Sequence, residues 1–221
     1  MSEAVFTADF SSASQWVAGR SWAYPDDGPT NPGDDKLDHL TADAAYSRTG
    51  TFRATRRADG LWDSGLLTTE GSTDAFTLRT GDRLDTRVRL PTGVGAWPAI
   101  WTWRDGGNEV DVFEYHPDHP DLLELTNHVR PRSRSVRDPA VAPGAVIDLS
   151  VTFGRRSVVW SLNGSRVFAD GRGVGADWNA YLIVNLSVSA GRYHPAPAPT
   201  ETELSYAVES LVVHRAPRPS S

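Results

Sequence analysis

The sequence predicts an all-β domain of two packed antiparallel sheets, and three observations lead there. Apolar and polar residues alternate with a period of two in many short runs. Turn-forming residues separate these runs at short intervals. No stretch of about a dozen residues or more keeps apolar groups at helical spacing, so helix is expected only as short turns.

Along the chain, Phe76–Arg79, Arg83–Leu90 and Val146–Phe153 alternate as half-buried strands do. Ala58-Asp59-Gly60, Thr80-Gly81-Asp82, Pro91-Thr92-Gly93 and Gly171-Arg172-Gly173 supply turns between such runs. Asn163-Gly164 joins Val158–Leu162 to Ser165–Phe168, and both turn residues tolerate the positive φ of a two-residue hairpin. A last strand is expected over Tyr206–Val213, after a Pro-rich stretch, Pro195–Pro199, that should lie outside the sheets. The 221 residues carry no internal repeat or linker, so one domain is expected over residues 1–215, with Ala216–Ser221 as a frayed tail.

The net charge of −6 lacks the basic footprint of a nucleic-acid binder, and a neutral substrate fits it better than a polyanion. Lys36 is the only lysine, and by itself it reads as a coding bias without mechanistic content. The absence of Cys excludes disulfides and thiolate metal sites. No run approaches the roughly 20 apolar residues of a membrane helix, so no membrane partner is expected. The first residues lack the pattern of a secretory signal, which implies a cytoplasmic chain if it is full length, or a signal already removed. Eight Trp can serve the core or form flat platforms against sugar rings.

The chemistry concentrates in Asn108-Glu109-Val110-Asp111-Val112-Phe113-Glu114-Tyr115. Glu109 and Asp111 share one face of a strand, and Glu114 is out of phase by one residue. A β-bulge would turn Phe113 inward and return Glu114 to the face of the other two acids. Three crowded carboxyls titrate as a unit and keep at least one proton near neutrality. One ionised carboxylate beside one protonated carboxyl, about 5–5.5 Å apart, is what double displacement at a sugar carbon needs. A solvated acidic face and a calcium cluster are the competing readings. The preceding run Gly95–Trp103, with Trp97, Trp101 and Trp103 on one face, weighs against the first; the lack of turn residues and carbonyl ligands weighs against the second.

With these residues in hand, the sequence resembles glycoside hydrolase family 16, especially its laminarinase-like branch, whose signature is Glu, aliphatic, Asp, aliphatic, an optional extra residue, and Glu. Glu109-Val110-Asp111-Val112-Phe113-Glu114 matches with the extra residue present. Leu61–Thr69 looks like the family's strand before the cleft, Gly95–Trp101 like its Trp-Pro-Ala-x-Trp strand, and Tyr181–Val188 like its later cleft strand. The resemblance implies a β-jelly roll of two curved antiparallel sheets of the concanavalin A-like type. It also implies Glu109 as nucleophile, Asp111 as its helper and Glu114 as general acid/base.

The implied activity is a retaining endo-glycosidase on β-1,3-glucan or mixed-linkage β-glucan. A lectin-like binding module and a transglycosylase remain as alternatives. Trp97, Trp101, Trp103, Asn31, His128 and Asn185 are the expected substrate-binding residues, a polysaccharide is the expected partner, and the chain is expected to act as a monomer. By the same resemblance the location is extracellular. No cofactor or catalytic metal is expected, although relatives often carry a structural calcium, for which Asp9 and Glu209 are candidates here. Leu66 stands where relatives often have Arg, and Ser189-Ala190-Gly191 where they tend to have Gly-Gly, so the sugar preference is open at these points.

Overall fold

Alternation with a period of two becomes extended backbone along most of the chain. A computed structural model describes residues 3–42, 50–105 and 107–216. Its first strands are β1 (Glu3–Thr7), β2 (Val17–Ala18), β3 (Asp38–Leu40), β4 (Thr51–Arg56), β5 (Trp62–Ser64) and β6 (Leu66–Thr68). Next come β7 (Thr77–Arg79), β8 (Arg83–Arg89), β9 (Ala96–Trp103), β10 (Val110–Tyr115), β11 (Leu122–Asn127) and β12 (Arg132–Arg137). The chain continues with β13 (Val146–Phe153), β14 (Val158–Leu162), β15 (Ser165–Ala169), β16 (Asn179–Val188) and β17 (Glu203–Arg215). Helix among the described residues is limited to two 3-10 turns, Pro25–Asp27 and Pro32–Asp34.

Two sheets form, as the pattern predicts. The back sheet runs β15-β14-β13-β8-β17-β4-β5-β3, with β1 also on β17; the groove sheet runs β12-β11-β10-β9-β16-β6-β2, with β7 also on β16. Every pairing is antiparallel except β3 with β5. This is the jelly-roll sandwich expected, and its core consists of inward side chains such as Leu84, Val88, Ile100, Val110, Phe153 and Trp160, all fully buried. The β14–β15 hairpin turns on Asn163 (φ 47°) and Gly164 (φ 80°), the paired positive angles that match the twist of the flanking strands. The expected last strand lies inside the longer β17.

One segment differs from its sequence reading. Leu61–Thr69 reads as a single strand, yet it divides at Gly65: β5 pairs with β4 in the back sheet and β6 pairs with β16 in the groove sheet. A strand that changes sheets at a bend closes the corner of a sandwich, and the Gly65 carbonyl accepts from the Leu186 N–H at 3.0 Å on the groove side. The Pro-rich stretch lies outside the sheets as expected, and within it Pro197 is buried. Its ring packs on Gly95 (φ +91°), where a Cβ would meet it at 2.5 Å. Of the predicted tail, only Ala216 falls within the described residues.

Candidate active site

The signature strand is β10, and it carries the bulge. Asp111 pairs with Trp101 and Phe113 with Ile100, so β10 spends two residues where β9 spends one. On the other side, Asp111 pairs with Thr126 and Glu114 with Glu124. Val112 and Phe113 therefore both enter the core and are fully buried. Glu114 comes round to the face of Glu109 and Asp111, and all three line one groove of about 370 Å³.

A bulge leaves ladder groups without strand partners, and a buried unpaired carbonyl costs about 1–3 kcal/mol. Two side chains serve this stretch. The buried indole of Trp160, from the back sheet, donates to the Asp111 carbonyl at 3.0 Å. Thr102 on β9 accepts from the Val110 N–H at 2.9 Å and donates to the Asn108 carbonyl at 3.1 Å.

The acids lie in unlike surroundings. Glu114 Oε1 accepts from Trp97 Nε1 at 2.9 Å, and burial, reinforced by Asp111, pushes its pKa up to about 8. Burial and then Asp111 raise Glu109 to about 7. Asp111, 3% exposed, is also raised by burial, against the pull of His128, whose Nε2 stands 3.1 Å from its Oδ2. That hydrogen bond is the main reason His128 rises to about 9, so near neutrality the His128 ring carries a proton toward Asp111. Glu109, Asp111 and His128 are close enough to surround a cation. The contact between His128 and Asp111 pairs these two side chains beside Glu109.

The remaining expected residues line the same groove: Trp97, Trp101, Trp103 and Asn31, with His128 just past the end of β11 and Asn185 on β16. Asn185 is 3% exposed; its Oδ1 accepts from Trp101 Nε1 at 2.8 Å and its Nδ2 donates to Ser187 Oγ at 2.8 Å. It fixes the Trp101 ring from within the wall. Leu66 is fully buried in one apolar cluster with Tyr24, Leu40, Ala99, Trp101 and Ile183, so the position where relatives often have Arg is apolar core here.

Lys36 corrects the sequence reading. It is no idle bias: its ammonium lies in the groove, 4.6 Å from the centre of the Trp97 ring and 5.5 Å from that of Tyr24, paired with Asp34 at 2.5 Å. Its charge draws down the pKa of all three acids. Neighbours hold it there. Buried Asp38 accepts from the Tyr24 hydroxyl and the Val188 N–H, each at 2.7 Å. Asp35 accepts from the N–H groups of Arg192 and Tyr193, which ties the loop after β16 to the loop of Lys36. The one signal in the sequence was a solitary lysine beside Asn31.

The expected calcium ligands are otherwise engaged. Glu209 pairs with Arg87 at 3.1 Å and Arg89 at 3.0 Å, and Asp9 accepts from the N–H and hydroxyl of Ser11. A cation would have to displace two guanidinium groups from Glu209.

With the groove described, comparison with known proteins places the architecture. No protein-family model matches the chain. A β-glucanase of Rhodothermus marinus is 37% identical over 62 residues, which is 23% of this chain and 21% of that protein. The endo-β-1,3-glucanase structure from Pyrococcus furiosus superposes with a TM-score of 0.78 at 19% identity, covering 97% of this chain and 94% of that one. The laminarinase catalytic domain of Thermotoga maritima gives 0.78 at 19% identity, covering 98% and 99%. The chain has the laminarinase fold. It spans less than half the length of the curated relatives it matches. In this laminarinase fold, the bulged acidic strand lies between β9 and β11 in the groove sheet, with Trp97, Trp101 and Trp103 on the next strand.

Proposed function

We propose that the chain is an endo-acting glycoside hydrolase that cleaves β-1,3-linked glucan, or mixed-linkage β-glucan, with retention of anomeric configuration. The observation that carries this reading is the bulge in β10, which brings Glu114 into the groove of Glu109 and Asp111, where burial raises the pKa of both glutamates and only Glu114 accepts a hydrogen bond from Trp97. Unlike carboxyls in one groove divide acid and nucleophile between them.

In the first step, Glu109 attacks the anomeric carbon and Glu114 gives its proton to the departing glycosidic oxygen, leaving a glycosyl ester on Glu109. In the second, the Glu114 carboxylate takes a proton from water, the water oxygen attacks the same carbon, and Glu109 leaves as a carboxylate. Burial, Asp111 bonded to His128, and the Lys36 side chain set how readily Glu109 ionises. Trp97 and Trp103 offer ring surface to sugars, and Trp101 is held from behind by Asn185. The substrate class rests on the names of the laminarinase structures and on the extra residue at Phe113. No metal is assigned to these steps.

The test is release of reducing ends from laminarin, with product anomers followed by NMR. The β-anomer should appear first. Glu114→Gln should lose about 10²–10⁴-fold in rate, and Glu109→Gln should form no glycosyl intermediate. Binding of laminarin oligosaccharides without turnover by the unaltered chain would overturn the reading in favour of a lectin-like module. Products longer than the substrate would instead make it a transglycosylase.

A further inference from the structure

Beyond the groove, three of the six histidines gather at one place. His116 follows β10 directly, His119 lies three residues on in the turn His116-Pro117-Asp118-His119, and His194 comes from the loop after β16. One ligand atom each from His116, Asp118 and His194 lies within 4.8 Å of the others. His194 Nδ1 is 3.0 Å from Asp118 Oδ2, and His119 Nε2 is 3.9 Å from the same oxygen.

A second, independent observation concerns His116. The residue is 3% exposed, and its Nδ1 is enclosed without a hydrogen-bond partner. Such an orphaned nitrogen costs free energy unless something supplies what it lacks. Asp118 and His194 are largely covered too, at 16% and 15% side-chain exposure, while His119 at 51% stands at the mouth.

We infer that His116, Asp118 and His194 form a site for a divalent transition metal of the zinc type, with His119 as an outer fourth ligand. Imidazole nitrogens together with one carboxylate suit zinc, whereas calcium and magnesium favour oxygen alone. The rings of His116 and His194 lie face to face, 3.4 Å between centres and 3° from parallel. In-plane lone pairs of stacked rings run side by side. Closing on a metal at about 2.0–2.1 Å from each nitrogen therefore requires His194, on its loop, to tilt out of the stack. His116 also packs on Trp97, ring centres 5.0 Å apart, so the site adjoins the indole that holds Glu114.

The experiment titrates the chelator-treated chain with zinc by calorimetry, and with cobalt by visible absorption. One equivalent is expected, with histidine ligand bands in the cobalt spectrum. Asp118→Asn and His194→Ala should each abolish it, while His128→Ala, which disables the groove trio, should leave it intact. Histidine-ring NMR of the unaltered chain gives an answer independent of how the variants fold: zinc should shift the His116 and His194 signals and spare those of His39 and His214. Absence of stoichiometric binding, unshifted His116 and His194 signals, or binding lost in His128→Ala but kept in the other two variants would each overturn the inference.

Discussion

Replacing Trp97 by Phe tests how the acid is tuned. The substitution removes the Nε1–H that donates to Glu114 at 2.9 Å, while leaving an aromatic ring against His116 and Lys36. That bond favours the ionised carboxylate and opposes the burial that raises Glu114 to about 8. A hydrogen bond to a charged group is worth about 1.5–3 kcal/mol, and one pKa unit corresponds to about 1.4 kcal/mol, so the pKa should rise by roughly one to two units. The sign follows directly: without its donor the carboxylate is less stable, the acid form persists to higher pH, and the alkaline limb of kcat/KM on laminarin moves up. The acid limb, set by Glu109, should hardly move. An alkaline limb that stays in place or shifts downward in a folded Trp97→Phe protein would refute the reasoning.

Other expectations follow from neighbouring contacts. Lys36→Met removes the ammonium that lowers the pKa of Glu109, so the acid limb of kcat/KM should move to higher pH by about half a unit to one unit; a pH-rate profile checks this. Trp160→Phe strips the donor from the Asp111 carbonyl at the bulge and should cost about 1–3 kcal/mol in urea unfolding, with a fall in activity as Glu114 loses its placement. Gly164→Ala should cost about 1–2 kcal/mol, because φ is +80° there. A Cβ would meet nothing within 4 Å, so activity on laminarin should be unchanged while Tm falls.

The sequence by itself determined the sandwich and the strand that carries the acids. Alternation is a local property, and the runs Arg83–Leu90 and Val146–Phe153 announced their own faces without reference to a partner. The phase slip at Glu114 was equally local: two like-facing acids and a third one residue late leave a bulge as the means of uniting them. The corner at Gly65 was not legible, because nothing within Trp62–Ser64 or Leu66–Thr68 names a sheet and only their partners decide which one each joins. Lys36 and Trp160 were hidden for the same reason. One lies 73 residues before Glu109 and the other 46 after Glu114, yet the first sets the charge in the groove and the second caps the bulge carbonyl. How firmly Glu114 keeps its proton is likewise tertiary, since burial raises its pKa against the pull of an indole from β9, and both depend on strands distant in the chain being packed side by side.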